Sequence, residues 1–458
     1  MTDRWLYSWA LGAVAFGGAS LLVPLYVVQL GGTAVDLGVL AASAALVAAP
    51  GAILFGRLGN RIDQRRPLVL GTLATVAGVL AAVPLLESVL AVIAANALLW
   101  LMVSSIPPVL TMLVVDDAPE SAWTERIGRL NKYQGYGWAG GLVLGTVWPF
   151  VGSRLLAPAS VTPALFWVLA GCAGVGVVGA VGSLPRPAPT RHVIGERRVR
   201  KIARALSTSR RGVKGATFAF SPNRLYWTTR AIHPRRLFAR LDRALALYLT
   251  AALLFFTGFA AFWAPLPLFF TEIAFDSGQI FALYLASSVA SAVLYEGAGR
   301  LAGRMDVRLL QSGALAARGL LFPAVALVAG LGAVTVELGV AGVGLTAIGA
   351  TWAVIAVVGT TIVTRLAPPG IRGEVLGVHT ALAAVAGGVG GILGGWVATF
   401  GYTVAFGVAG GLVLVGAGLV FTLRIVESVP PRPVADADPV TERAPSTTDT
   451  PLSGGERN

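Results

Sequence analysis

Charge is what this chain has least of. Only 12% of its 458 residues are Asp, Glu, Lys or Arg, about half the roughly 25% usual in a soluble protein. Too little polar surface remains to face water, which excludes an ordinary soluble domain. Cysteine is nearly missing: Cys172 stands alone, so no intrachain disulfide is possible and no cysteine metal cluster is supported. The three histidines, His192, His233 and His379, lie far apart in sequence. No His, Asp and Glu cluster shows catalytic or metal-ligand spacing, so neither an enzyme nor a resident metal or cofactor is expected. A Gly-x-x-x-x-Gly-Lys-Ser/Thr phosphate loop is also missing, which argues against an ATP-driven pump. The first apolar segment lacks a basic leader and a small-residue cleavage site, and is expected to stay as a spanning helix.

Apolar runs fill the space that charge leaves. The chain is 55% hydrophobic with a mean hydropathy of +0.76. The runs fall at about 5–30, 37–55, 68–86, 89–115, 133–152 and 161–184, then at 244–270, 279–298, 312–333, 338–364, 376–399 and 403–425. Each approaches the ~20 residues that cross a bilayer as a helix. Twelve spans are therefore expected, six on each side of a basic stretch. The chain divides into a first bundle (1–185), a basic linker (186–243), a second bundle (244–428) and a polar tail (429–458) expected to be disordered.

The net charge of +13 would suggest nucleic acid in a soluble chain, but its distribution argues otherwise. Residues 186–243 hold 16 of the 35 basic residues against two acids, Glu196 and Asp242; the remainder carries 19 basic and 20 acidic residues. Two patches in this linker are amphipathic. Val199, Ile202 and Leu206 oppose Arg197, Arg200, Lys201 and Arg204, and a second apolar set comprises Leu237, Phe238, Leu241 and Leu245. They read as helices lying on anionic membrane lipids rather than as a nucleic-acid site. Elsewhere the basic residues occupy alternate loops: Arg57, Arg61, Arg65 and Arg66; Arg126, Arg129 and Lys132; Arg300, Arg304 and Arg308; Arg365 and Arg372. The opposite side carries only Arg154. The basic side is expected to be cytoplasmic, with both termini on it, in the cell membrane.

The two halves repeat. Pro24 precedes Asp36 by twelve residues and Pro265 precedes Asp276 by eleven; each acid is followed by a span and then by a Gly-Arg-Leu-x-x-Arg-x-Asp turn. The first turn holds Gly56, Arg57, Gly59, Asn60, Arg61, Asp63 and Arg65; the second holds Gly299, Arg300, Arg304 and Asp306. Glycine runs at 135–145 and 387–395 also correspond, each ending just before a tryptophan, Trp148 or Trp396. Parallel repeats with a site between them near the midplane are a transporter architecture.

On these residues the chain resembles the major facilitator superfamily. Gly56, Leu58, Gly59, Arg61, Arg65 and Arg66 are similar to the family's loop between helices 2 and 3, and the likeness extends to about residue 428. It departs at Asn60, where Asp is more frequent, and at Asp63 and Gln64. The family's helix-4 arginine motif is missing, since residues 96–112 carry no charge. The resemblance implies an all-α integral membrane protein of two pseudo-symmetric six-helix bundles. It implies a secondary transporter of a small solute working by alternating access, with efflux of a neutral or amphipathic compound as one form. A non-transporting receptor or scaffold on the same fold is the alternative, and a monomer is expected.

The two arginine turns, with Glu296, form the expected cytoplasmic gate, although lipid anchoring also fits them. Asp36 and Asp276 are expected to cap helices. Arg318 is expected at the inner end of its span, reaching the surface. Tyr26, Gln29, Asn96, Trp100, Tyr136, Trp263, Tyr284 and Trp352 are candidates to line the central cavity, or to anchor span ends at the interface. Pro24, Pro265 and Pro267 are expected to kink matched helices.

Overall fold

The structure is a computed structural model that describes residues 4–61, 65–115, 123–184, 242–367 and 372–428; the side chains of residues 49–61 and of Glu296 lie outside that description. The linker and the tail expected from the sequence fall almost wholly beyond it. Among the described residues every regular element is helical. The first half contains α1 (Trp5–Gln29), α2 (Ala34–Arg61), α3 (Arg66–Ala82), α4 (Val89–Ser105), α5 (Pro107–Val115), α6 (Trp123–Leu155) and α7 (Pro158–Ser183). The second contains α8 (Arg243–Trp263), α9 (Leu266–Glu272), α10 (Ser277–Ala302), α11 (Val307–Ala326), α12 (Val334–Leu366), α13 (Arg372–Ala398) and α14 (Tyr402–Ser428).

Two breaks reduce these helices to twelve rods. The run at 89–115 is interrupted at Ile106, just before Pro107 and Pro108; the run at 244–270 is interrupted at Ala264 and Pro265. Proline has no N–H to give and its ring crowds the preceding turn, so it starts a helix more readily than it continues one. Pro24, by contrast, sits inside the unbroken α1, so the matched kinks expected from the prolines are not equal. Nine of the described segments are long and apolar enough to cross a membrane, and Ala34–Ala48 and Val89–Ser105 are shorter apolar helices. The remaining rod, α6, opens with Glu125, Arg126, Arg129 and Lys132.

The packing repeats as the sequence does. In the first bundle α1 packs on α6 and α7, α2 on α4, and α3 on α7. In the second, α8 packs on α13 and α14, α10 on α12, and α11 on α14. Each contact of one bundle has its counterpart in the other. Lipid tails are as apolar as leucine, so such contacts come from close approach and polar bonds rather than from the hydrophobic effect. The glycine runs supply the approach. A Cβ on Gly137 or Gly141 of α6 would meet the backbone of α1 at Ala10 or Val14, and one on Gly390 or Gly394 of α13 would meet α8 at Thr257 or Ala261.

Several polar side chains buried among the helices of the second bundle bond across helix boundaries. The Tyr248 hydroxyl donates to Gly359 O (3.3 Å) and receives a bond from Gln311 Nε2 (2.9 Å), joining α8, α11 and α12. Ser291 Oγ donates to Gly349 O (2.7 Å), joining α10 to α12, and Ser312 Oγ donates to Ala417 O (2.9 Å), joining α11 to α14.

A substitution pair tests the close-approach argument. Gly390→Val is expected to cost about 1–3 kcal/mol through overpacking and to lower the melting temperature in detergent. Gly411→Val, where a Cβ meets nothing within 4 Å, is expected to leave it unchanged.

Candidate functional site

The site is framed by the contacts between the two bundles. α2 packs on α13, α6 on α10, and α1 on α9. The glycine contacts of the first two pairs lie toward the ends away from the arginine-bearing turns. Gly38, in the second turn of α2, has no room for a Cβ beside Gly391 and Gly395 in the last turns of α13; Gly395 in turn faces Ala34. On the opposite flank Gly145 of α6 faces the Phe281 ring of α10, and Gly278 faces Thr146 and Pro149. These two seams relate to one another as the bundles do: second rod to eleventh, fifth to eighth.

Helix caps shape the same end. Asp276 accepts from Gln279 N (2.8 Å) while Gln279 Oε1 accepts from Asp276 N (2.9 Å), a reciprocal capping box. Asp36 accepts from both the backbone N–H and the hydroxyl of Thr33, each at 2.7 Å. Both carboxylates therefore serve the local backbone at the seams.

The arginine turns occupy the other end. Gly56, Arg57, Gly59, Asn60 and Arg61, and likewise Glu296, lie in helices whose side chains are outside the described residues, and Asp63 falls between described segments. Arg65 precedes α3, and its carbonyl accepts from Leu68 N (3.1 Å) and Val69 N (3.3 Å). Arg66 donates to Val181 O of α7, fastening the turn to its own bundle. Gly299, Arg300 and Arg304 are exposed at the end of α10. Asp306 caps α11 by accepting from Arg308 N (2.9 Å) and lies 3.6 Å from Arg424 Nε of α14. That pair is within one bundle and solvent-exposed, so its own contribution to stability is small.

The cavity candidates separate into groups. Tyr26 is buried at the far end of α1. Its hydroxyl donates to Leu86 O (3.1 Å) and its ring packs edge-on against Phe166 (5.3 Å). Gln29 donates to Thr162 Oγ1 (3.0 Å) on α7. Both fasten α1 to its own bundle. Asn96 is buried in α4, Trp100 half-buried one turn on, and Tyr136 exposed on α6 with the Lys132 ammonium 5.5 Å from its ring. The structure brings Trp263 and Tyr284 together across α8 and α10, ring centroids 5.1 Å apart. Trp352 of α12 joins the same bundle's aromatic cluster through Phe259, 6.0 Å away.

That cluster encloses a residue assigned otherwise from the sequence. Arg318 is 3% exposed and does not reach the surface. Its guanidinium carbon lies 4.4 Å from the Phe259 ring, 5.5 Å from Trp352 and 5.7 Å from Phe322. The apolar run placed its span from 312, six residues short of the arginine. The helix in fact begins at Val307, capped by Asp306, so Arg318 sits eleven residues in, about 16 Å along the axis. The legible signal was an arginine four residues before Phe322 on the face that carries Gln311, Leu315 and Phe322. His379 is buried beside this cluster, 5.6 Å from Phe256 and 6.0 Å from Tyr248. No group of three His, Cys, Asp or Glu able to hold a metal occurs among the described residues.

The family model described as Major Facilitator Superfamily matches residues 5–358. A mutant of the nucleoside transporter NupG superposes with a TM-score of 0.64 at 12% identity, covering 92% of this chain and 98% of its own. The human organic anion transporter MFSD10 (TETRAN) gives a TM-score of 0.49 at 18% identity, covering 91% and 98%. No curated protein matches the chain.

Because the Tyr26 hydroxyl is spent on Leu86, Tyr26→Phe is expected to cost about 1 kcal/mol, seen as a lower melting temperature, with ligand affinity unchanged. A loss of affinity at unchanged stability would return Tyr26 to the cavity.

Proposed function

The chain belongs to the Major Facilitator Superfamily and is a multi-pass membrane protein, and from that premise we propose that it is a secondary transporter working by alternating access. Its cargo is a small, amphipathic solute, and export across the cell membrane is the direction to test first. One observation carries the reading: among the described residues, two reciprocal seams, each with glycines at the contact, join the bundles toward the end away from the arginine turns. The α2–α13 seam is built from small residues with little side-chain interlock, and in this proposal it is the seam that parts and re-forms. When it parts, the arginine turns at the other end are the contacts that hold the halves together. Gly56, Arg57, Gly59, Asn60, Arg61, Asp63 and Arg65 then work with Gly299, Arg300, Arg304, Asp306 and Glu296 as the cytoplasmic gate.

The scarcity of charge within the spans favours an amphipathic cargo over a strongly ionic one. In this reading Trp263, Tyr284 and Trp352 face the cargo, with Asn96, Trp100 and Tyr136 contributed by the first bundle. The similarity to a nucleoside transporter, at 12% identity, is one of fold, and no substrate is taken from it. The basic linker at 186–243 rests on anionic lipids in the same proposal, and the protein acts as a monomer without a cofactor.

A reversible lock tests it. A Cβ at Gly391 would stand 3.0 Å from that of Ala41, close to the ~3.5–4.5 Å of a disulfide. In a Cys172→Ser background, Ala41→Cys with Gly391→Cys is expected to cross-link under mild oxidation. Cross-linking should stop vesicle flux of a solute identified by thermal-shift screening, and reductant should restore it. Full flux through the cross-linked protein would exclude alternating access at this seam.

A further inference from the structure

An arginine near the middle of a span needs a reason, because burying a guanidinium away from water is costly unless it is paired. Arg318 has only part of a pairing. Three aromatic faces attract its charge, yet its Nε and Nη1 atoms are buried and make no hydrogen bond. Phe259 stands at 81° to Phe322 and at 80° to Trp352, so the three rings cannot all stack on the guanidinium, whose planar N–H fork keeps two donors, Nε and Nη1, without a hydrogen-bond partner. Such a fork matches the two oxygens of a carboxylate. Of the caging rings, Phe259 and Phe322 are buried, whereas Trp352 is partly exposed. Trp352 is therefore the side of the cage that can open.

We propose that Arg318 is the binding residue for an anionic group, a carboxylate, on the amphipathic cargo, and that Trp352 is the ring that swings aside to admit it. The aromatic cage holds the charge while the site is empty, and the carboxylate then accepts from one of the two unspent donors, Nε–H or Nη1–H. The inference rests on the transporter reading and narrows its substrate class to amphipathic organic acids.

The test uses purified full-length protein and matched acids and amides: benzoate with benzamide, and 1-naphthoate with 1-naphthamide. Inorganic phosphate serves as a third probe. At least one carboxylate is expected to raise the melting temperature where its amide does not. Arg318→Gln should weaken that carboxylate on the order of tenfold or more, the usual scale of a hydrogen bond to a charged group. No acid–amide difference in the native protein, or an equal difference in Arg318→Gln, would overturn the proposal. Should Arg318→Gln not fold, Arg318→Lys decides, since it keeps the charge and loses the fork. Weakened carboxylate binding supports the site and undiminished binding overturns it. Phosphate acting through Arg318 as strongly as the carboxylates would point to an inorganic anion and overturn the assignment to the cargo. Vesicle flux of the same compounds separates the two readings. Arg318-dependent binding without flux keeps the anion site and removes the transporter. Flux of amides that Arg318→Gln leaves intact keeps the transporter and removes the site.

Discussion

Close approach of backbones across the seams is the constraint on which the rest of this molecule depends. In lipid, leucine facing leucine gains nothing that leucine facing an acyl chain does not already have. Helices associate where small residues let many atoms touch and where buried polar groups find partners. The glycines of α6 and α13 do this twice over. One face of each, Gly137 and Gly141 or Gly390 and Gly394, lies on the first rod of its own bundle. The next positions along, Gly145 or Gly391 and Gly395, touch the opposite bundle. The same helices therefore build each half and join it to the other, and any movement of the halves has to run along them.

Within the second bundle the association is more polar. Tyr248, Gln311, Ser291 and Ser312 each bond across a helix boundary, and a stack of aromatic rings, Phe262 on Phe322 at 4.0 Å among them, fills the space between α8 and α11. Arg318 stands inside this bundle, between the aromatic stack and the partly exposed Trp352.

Much of this architecture was legible in one dimension. The apolar runs mark helices because each run is long enough to be read independently of the rest. The repeat is readable because Asp36 and Asp276, and the two glycine runs, keep similar spacing. Other features depend on three-dimensional partners that the sequence does not name. The glycine runs announced close packing but not that Gly38 would be the counterpart of Gly391 and Gly395. Tyr26 and Gln29 were polar groups in need of partners, and found them on Leu86 and Thr162. Arg318 was misplaced because the apolar run starts at 312, while the helix reaches back to the Asp306 cap. That difference of five residues, about 7.5 Å of helix, turns a surface cation into a buried one.

The most direct test of the central claim measures both ends of the molecule at once. Spin labels at Val35 and Trp396 span the α2–α13 seam, and labels at Lys132 and Arg304 span the opposite ends of α6 and α10; all four positions are exposed. Pulsed electron resonance in nanodiscs is predicted to show two populations, one short across the seam and long across the arginine turns, the other reversed. A single, fixed distance at both ends under every ligand and membrane condition would contradict the account.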